Sequence, residues 1–135
     1  MILTGGCLCG GVRYRFEGAP SPVVACHCGM CRRTSGHHVV SVTVNAADVA
    51  VEETTLRWYA SSETGRRGFC GVCGGNLFWK AEGAARMEIF MGTADAPTGL
   101  RLAGHEYVAS KSDYYEIADG LPQFDALAPD GMGWA

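Results

Sequence analysis

The stretch "GGCLCGGVRYRFEG", residues 5–18, joins a glycine-flanked pair of cysteines to a segment that alternates apolar and charged side chains. Val12, Tyr14 and Phe16 alternate with two arginines, and this period of two is typical of a β-strand with one buried face. Glycines on both sides of the cysteine pair suit a sharp turn, because glycine tolerates the positive φ that such turns require. The stretch therefore predicts a cysteine-bearing turn that leads into a half-buried strand.

The same strand pattern recurs along the chain, whereas helical periodicity is scarce. Further short strand candidates are residues 38–44, 56–62, 76–80, 86–92 and 105–110. Only residues 31–37 and 45–51 could form a helical turn, and no helix is long enough to connect parallel strands. We therefore predict an all-β, mainly antiparallel fold of roughly eight to ten short strands. Most large aromatic residues are expected in its core: Trp58, Tyr59, Trp79, Tyr114 and Tyr115.

Length and charge narrow the classes of protein. The 135 residues suit one domain, which we predict to span residues 1–135 with an irregular tail at 125–135 that is rich in Pro, Gly and Asp. No basic, apolar leader and no apolar run of membrane-spanning length is present, so a cytoplasmic protein without membrane contact is expected. The net charge of -3 argues against a general affinity for nucleic acid.

The cysteines carry the main functional signal. Their number is seven, which disulfides alone cannot use up, and disulfides are rare in a reducing cytosol. Clustered cysteines in that setting are typical of metal sites. They form three groups: Cys7 with Cys9; Cys26 with Cys28 and Cys31; and Cys70 with Cys73.

Two ligand arrangements are compatible with this spacing. A zinc ribbon would join the C-x2-C pairs Cys28/Cys31 and Cys70/Cys73, and would leave the other three cysteines without a role. Alternatively, Cys7 and Cys9 join Cys70 and Cys73 in one closed tetrahedral site, which leaves the middle group by itself.

We favour the second arrangement because of the local geometry of the middle group. Side chains two apart on an extended segment share a face, so Cys26 and Cys28 point the same way. Cys31 can return to them on a turn after Gly29. Three protein ligands with one open position is the layout of a catalytic zinc, so Cys26, Cys28 and Cys31 are the predicted catalytic cluster.

The motifs together resemble a known family. Four segments show the resemblance, and they occur in the order "GGCLCGGVRY", "CHCGMCRRTSG", "FCGVCGGNLFW" and "HEYVASKSDYYEIADGLPQF". This order resembles the glutathione-dependent formaldehyde-activating enzyme family, which also includes centromere protein V. The resemblance implies a beta-tent fold with two zinc ions. In it, Cys7, Cys9, Cys70 and Cys73 hold a structural zinc, and Cys26, Cys28 and Cys31 hold the second. It also implies a carbon–sulfur lyase acting on a thiol adduct such as S-hydroxymethylglutathione, with glutathione as cosubstrate and an aldehyde as the partner.

An open three-thiolate zinc suits this chemistry. A soft thiol is a better fourth ligand than water, and metal binding deprotonates it to the nucleophilic thiolate. Arg32 and Arg33 follow the cluster directly and are predicted to bind the carboxylates of glutathione. His27 is expected to point away from the metal. A closed site would instead take its fourth ligand from His37, His38 or His105.

Two other functions use the same features. A glutathione- or thiol-binding protein with little turnover would need the same open zinc. An interaction module would be indicated by an exposed apolar patch or a basic stripe, and the acidic balance of the chain disfavours the latter.

Overall fold

Ten β-strands and one short α-helix form the regular structure of residues 1–52, 55–129 and 132, which the computed structural model of the chain describes. The strands are β1 (Ile2–Gly6), β2 (Arg13–Glu17), β3 (Val23–Cys26), β4 (Val39–Asn45), β5 (Val49–Glu52), β6 (Leu56–Ala60), β7 (Gly65–Cys70), β8 (Asn76–Ala81), β9 (Arg86–Phe90) and β10 (Leu102–Glu106). The helix α1 spans Gly29–Ser35, and 3-10 helices lie at Ala46–Asp48, Met91–Thr93 and Val108–Ser110.

The strands form two sheets. One has the order β1-β2-β5 and the other the order β10-β3-β4-β9-β8-β7-β6. All strand pairs are antiparallel except β10 with β3, which are parallel. The prediction of an all-β, mainly antiparallel fold is confirmed. No helix among the described residues is long and apolar enough to cross a membrane.

The main core lies between the two sheets. From the small sheet it receives Leu3, Tyr14 and Phe16, each at most 3% exposed, as the alternation in residues 11–18 predicts. The large sheet contributes one face of its central strands: Val42, Val44, Phe78, Met87 and Ile89. Burial of these side chains is the dominant favourable contribution to folding.

The opposite face of the large sheet is more polar and positions the candidate site. In the strand register Arg67 of β7 is opposite Trp79 of β8, Trp79 is opposite Glu88 of β9, and Glu88 is opposite Thr43 of β4. Residues that are opposite one another across neighbouring strands share a face. The helix α1 lies over this face, where Cys31 packs against Val39 and Phe90.

Some local predictions differ from the structure. The patterns missed β1, β3, β5 and β7. Strands β3 and β5 have only four residues each, β1 ends in two glycines, and consecutive arginines break the alternation in β7. Strand β10 begins earlier than residue 105, and residues 108–110 form a 3-10 helix. The helical turns predicted at 31–37 and 45–51 are present as α1 and Ala46–Asp48.

The prediction that the large aromatic residues lie in the core is wrong for three of them. Trp58 is 44% exposed, Tyr59 60% and Tyr114 62%. Trp58 and Tyr59 lie on β6, which is the edge strand of the large sheet and has no further strand to cover it. In the predicted irregular tail, residues 125–129 contain no helix or strand, and residues 130, 131 and 133–135 lie outside the described residues.

Candidate metal centres and the adjoining pocket

Four cysteines from two distant turns meet in one cluster. Cys7 and Cys9 follow β1, Cys70 ends β7, and Cys73 lies in the next turn. Their sulfur atoms all lie within 4.8 Å of one another, with 3.7 Å between Cys7 and Cys9 and 3.6 Å between Cys9 and Cys70. A tetrahedral zinc with Zn–S bonds of about 2.3 Å has S–S edges of about 3.8 Å. The cluster therefore fits one metal ion bound by four thiolates.

Hydrogen-bond donors around Cys70 favour the thiolate form of its sulfur. The backbone N–H groups of Val72 and Cys73 each donate to Sγ of Cys70 over 3.4 Å, and the Thr55 hydroxyl lies 3.1 Å away. These contacts lower the pKa of Cys70 to about 6. The hydrogen bond from the Cys73 N–H has the largest effect, and the one from Thr55 the next largest. Because the thiolate is the form that binds metal, this turn favours the metal-binding form of Cys70 even without an ion.

The second cluster is formed where β3 runs into α1. Cys26 ends β3, Cys28 is the N-cap of α1, and Cys31 lies in the first turn of the helix. The extended backbone of Cys28, with φ -64° and ψ 159°, brings it alongside Cys26, and all three sulfurs lie within 4.8 Å of one another. Hydrogen bonds from Cys26 and then Cys31 lower the pKa of Cys28. This cluster could also hold a metal ion, with three thiolate ligands.

No fourth ligand from the described residues joins these three sulfurs. Among the described residues, which include every histidine of the chain, the cluster contains only Cys26, Cys28 and Cys31. The structure thus separates the cysteines into a group of four and a group of three, as in the favoured arrangement, and does not bring Cys28 and Cys31 to Cys70 and Cys73.

Two of the four histidines, His27 and His105, are instead joined in a hydrogen-bonded chain, and His37 contacts the hydroxyl of Tyr114. Nε2 of His27 lies 2.9 Å from Nδ1 of His105, and Nε2 of His105 lies 2.7 Å from a carboxylate oxygen of Asp119. The hydroxyl of Tyr115 lies 2.8 Å from Nδ1 of His27. Every contact is satisfied when Tyr115 donates to His27, His27 to His105, and His105 to Asp119.

Burial favours the neutral form of His27 within this chain. His27 is 1% exposed and stacks on His38, and its burial, followed by the neighbouring His38, lowers its pKa to about 4. A residue between two cluster cysteines is thereby tied to β10 and to the segment that contains Tyr115. We infer that the network orients the loop that presents Cys26 and Cys28.

A cavity of about 370 Å³ opens beside the three-cysteine cluster. All three cysteines line it, and its floor is the polar face of the large sheet. Its other chemically relevant lining residues are Arg67, Trp79, Glu88, Glu106 and Tyr107. Tyr107 has φ +55°, the only positive φ of a non-glycine residue in the described part of the chain. Such backbone strain in a bulky residue is concentrated at functional sites.

Arg67 and Glu88 are the residues that the sequence analysis missed. Arg67 is 4% exposed, and burial raises the pKa of Glu88 to about 7 against the opposing hydrogen bond from the Ser41 hydroxyl. A signal for each is visible in retrospect. Glu88 interrupts an apolar strand between Met87 and Ile89, and of two consecutive arginines in a strand one must point inward.

The two arginines predicted to bind carboxylates do not line the cavity. Arg32 donates from Nε to the Ser112 hydroxyl over 2.8 Å and from Nη1 to the Ser110 carbonyl over 3.1 Å. Arg33 is exposed. Arg32 therefore fastens the segment after β10 to the helix that contains Cys31, and the role of both arginines in substrate binding stays a prediction.

Comparison with known proteins gives a consistent result. A family model described as "Glutathione-dependent formaldehyde-activating enzyme" matches residues 2–110. A curated Halomonas elongata protein, named provisionally as such an enzyme, is 32% identical over an alignment of length 87 that covers 58% of this chain and 55% of that protein. The chain thus spans about half the length of this relative. A crystal structure of a Rhodobacter sphaeroides protein shares the fold, with a TM-score of 0.61 and 22% identity over 78% of this chain and 99% of that one.

Proposed function

Because the chain belongs to the glutathione-dependent formaldehyde-activating enzyme family, we propose that it is a zinc-dependent carbon–sulfur lyase. Its substrate would be a thiol adduct such as S-hydroxymethylglutathione, which the enzyme forms from glutathione and formaldehyde and cleaves in the reverse direction. One observation supports this proposal above all. The cluster of Cys26, Cys28 and Cys31 has no fourth ligand among the described residues and opens into a cavity.

The donor sets suit zinc in two different roles. Cys7, Cys9, Cys70 and Cys73 would hold a structural ion, because four thiolates close its coordination. Cys26, Cys28 and Cys31 would hold a second ion with one position free for a ligand. When bound there, zinc lowers the pKa of an incoming thiol, so that the thiolate is available at neutral pH.

The chain contributes binding and orientation. Val24, Trp79 and Leu127 give the cavity part of its apolar lining. Arg32 and Arg33 lie in the helix that contains Cys31, where they would attract the carboxylates of glutathione. The network of His27, His105 and Asp119 would hold the cysteine loop in place while a ligand enters.

The test is the exchange rate between free formaldehyde and its glutathione adduct. Two-dimensional NMR exchange spectroscopy with ¹³C-formaldehyde and glutathione measures this rate with and without the zinc-loaded protein. We expect acceleration by the wild type and none by Cys28→Ser, with zinc content determined for both. Glutathione binding without acceleration would instead identify a thiol-binding protein, and loss of acceleration in Cys28→Ser with both zinc ions retained would contradict the assigned site.

A further inference from the structure

The cavity contains a buried cation, Arg67, that forms no ion pair with a carboxylate of the described residues. Arg67 is 4% exposed, and none of the ion pairs among the described residues includes it. Its Nη2 and Nη1 atoms lie 3.8 and 4.0 Å from Sγ of Cys31, and its Nε has no hydrogen-bond partner. Burying a charged group is costly unless it is paired and hydrogen-bonded. The cysteine cluster offsets part of this cost, and the free Nε indicates that a ligand provides the rest.

A carboxyl group faces the same cavity from the other side of Trp79. The register places Arg67, Trp79 and Glu88 in one row across β7, β8 and β9. Neighbouring strands are about 4.8 Å apart, so the backbones of Arg67 and Glu88 are separated by about 10 Å. Trp79 lies between them in this row and also lines the cavity, so a hydrogen-bond donor and a carboxyl group stand on either side of an aromatic residue.

We propose that Arg67 binds the oxygen of the aldehyde or of its adduct, and that Glu88 carries the proton exchanged between the thiol and this oxygen. The inference rests on the proposed function and names the residues that would act on the substrate. Because the Nη atoms of Arg67 are next to Cys31, an oxygen one carbon away from a sulfur held at the cluster lies within reach of the guanidinium.

The reaction then balances without any further reagent. The thiol transfers its proton to the Glu88 carboxylate, and the thiolate sulfur forms a bond to the aldehyde carbon. The π pair of the carbonyl moves to the oxygen, which becomes an alkoxide beside Arg67 and takes the proton back from Glu88. The product is the S-hydroxymethyl thiol, and the reverse sequence releases formaldehyde. Burial raises the pKa of Glu88 to about 7, near the value at which a carboxyl group exchanges protons efficiently at neutral pH.

The role of Arg67 is tested with two stable glutathione thioethers of similar size. S-(2-hydroxyethyl)glutathione carries an oxygen near the position proposed for it, whereas S-propylglutathione carries a methyl group. Calorimetry should show that the zinc-loaded wild type binds the hydroxyethyl compound about tenfold more tightly, as expected for a hydrogen bond to a charged group. Arg67→Gln and Arg67→Lys should reduce this preference to less than threefold.

Arg66→Gln is the matched control. Arg66 is adjacent on β7 but pairs with Glu82 and lines a different depression, so its replacement should leave the preference unchanged. A preference that persists in a folded Arg67 variant would overturn the role of Arg67. If both Arg67 variants fail to fold, the wild-type protein still tests the inference. Equal affinity of the wild type for the two thioethers would overturn it.

The role of Glu88 is tested by counting protons during glutathione binding. Calorimetry at pH 6.5 in two buffers of different ionisation enthalpy gives the number of protons released to solvent. If Glu88 accepts part of the thiol proton, Glu88→Gln should release more protons than the wild type. Glu82→Gln, outside the cavity, should behave as the wild type. Equal proton release in Glu88→Gln and wild type would overturn the role of Glu88.

The two levels of the proposal fail in different ways. If the wild type does not accelerate adduct exchange but still prefers the hydroxyethyl thioether in an Arg67-dependent manner, the proposed reaction is wrong and the oxygen site remains. If the wild type accelerates exchange and both Arg67→Gln and Glu88→Gln do so equally well, the inference is wrong and the reaction remains. For a residue that donates or accepts the proton, we expect a loss of 10²-fold or more in rate.

Discussion

Nε2 of His27 lies 2.9 Å from Nδ1 of His105, and this contact joins the loop of the three-cysteine cluster to strand β10. It continues through His105 to Asp119, whose carboxylate lies 2.7 Å from Nε2 of the ring. A hydrogen bond on one imidazole nitrogen determines which tautomer the other nitrogen presents. The orientation of a residue between two proposed ligands is thus determined by an acidic side chain far along the chain.

We predict that Asp119→Ala loosens the three-cysteine site selectively. The variant loses the acceptor for His105, which should speed the release of one zinc to a chelator and leave the other zinc unaffected. Release is followed with a chromogenic chelator, and Asp113→Ala, at another exposed position in the same segment, is the control. Release rates equal to those of the wild type would show that the network does not support the site.

We predict that Glu88→Gln is more stable than the wild type at alkaline pH. The pKa of Glu88 is raised from 4.5 to about 7 in the folded protein, so the stability from its bound proton is complete below about 4.5 and lost as pH rises through about 7. The amide removes this loss and keeps the hydrogen bond with Ser41. The gain should be about 1–3 kcal/mol at pH 8 and should shrink towards pH 5.

Urea unfolding of metal-loaded wild type and Glu88→Gln at a series of pH values measures this difference. Glu82→Gln provides the comparison, because its side chain is 71% exposed and pairs with Arg66 at the surface. A difference between wild type and Glu88→Gln that does not change with pH would contradict the prediction.

We predict that the two cysteine clusters respond differently to the loss of one sulfur. Cys70→Ser should unfold or aggregate the protein, since Cys70 is fully buried and its cluster joins turns from distant parts of the chain. Cys28→Ser should leave a folded protein with one zinc. Circular dichroism shows whether each variant is folded, and metal analysis gives the number of zinc ions that it binds. If Cys28→Ser lost both metals and its fold, the assignment of the seven cysteines to two independent sites would be wrong.

We predict that replacing Arg32 and Arg33 by alanine weakens glutathione binding and spares the zinc content. A hydrogen bond between charged groups contributes about 1.5–3 kcal/mol, so the loss should be at least tenfold for each arginine that contacts a carboxylate. Arg33→Ala alone is the sharper measurement, because Arg32 also holds Ser110 and Ser112. If calorimetry shows unchanged affinity for glutathione, neither arginine binds its carboxylates.

We predict that the fourth ligand of the three-cysteine zinc comes from outside the chain. Zinc X-ray absorption should show three sulfurs and one lighter atom at this site, and glutathione should shift it towards four sulfurs. A variant with Cys28→Ser provides the spectrum of the four-cysteine site for subtraction. A histidine nitrogen at about 2.0–2.1 Å from the metal would close the site and oppose the proposed reaction.

The sequence by itself predicted the class of fold and the grouping of the cysteines. Alternation in Val12, Tyr14 and Phe16 indicated strands because the period of a β-strand is a local property of its backbone. The C-x-C and C-x2-C spacings indicated groups of metal ligands because cysteines so close in sequence are also close in space, whatever the rest of the fold. The resemblance of the motifs to a family then implied which groups combine, and the structure brings Cys7 and Cys9 to Cys70 and Cys73.

Only the tertiary structure decided which charged residues belong to the site. Arg66 and Arg67 are indistinguishable in the sequence, yet one pairs with Glu82 at the surface and the other lies against Cys31. The row that connects Arg67 to Glu88 depends on the register of three strands. Register is a relation between segments, determined by burial of the opposite face, so the spacing of residues within any one strand does not reveal it.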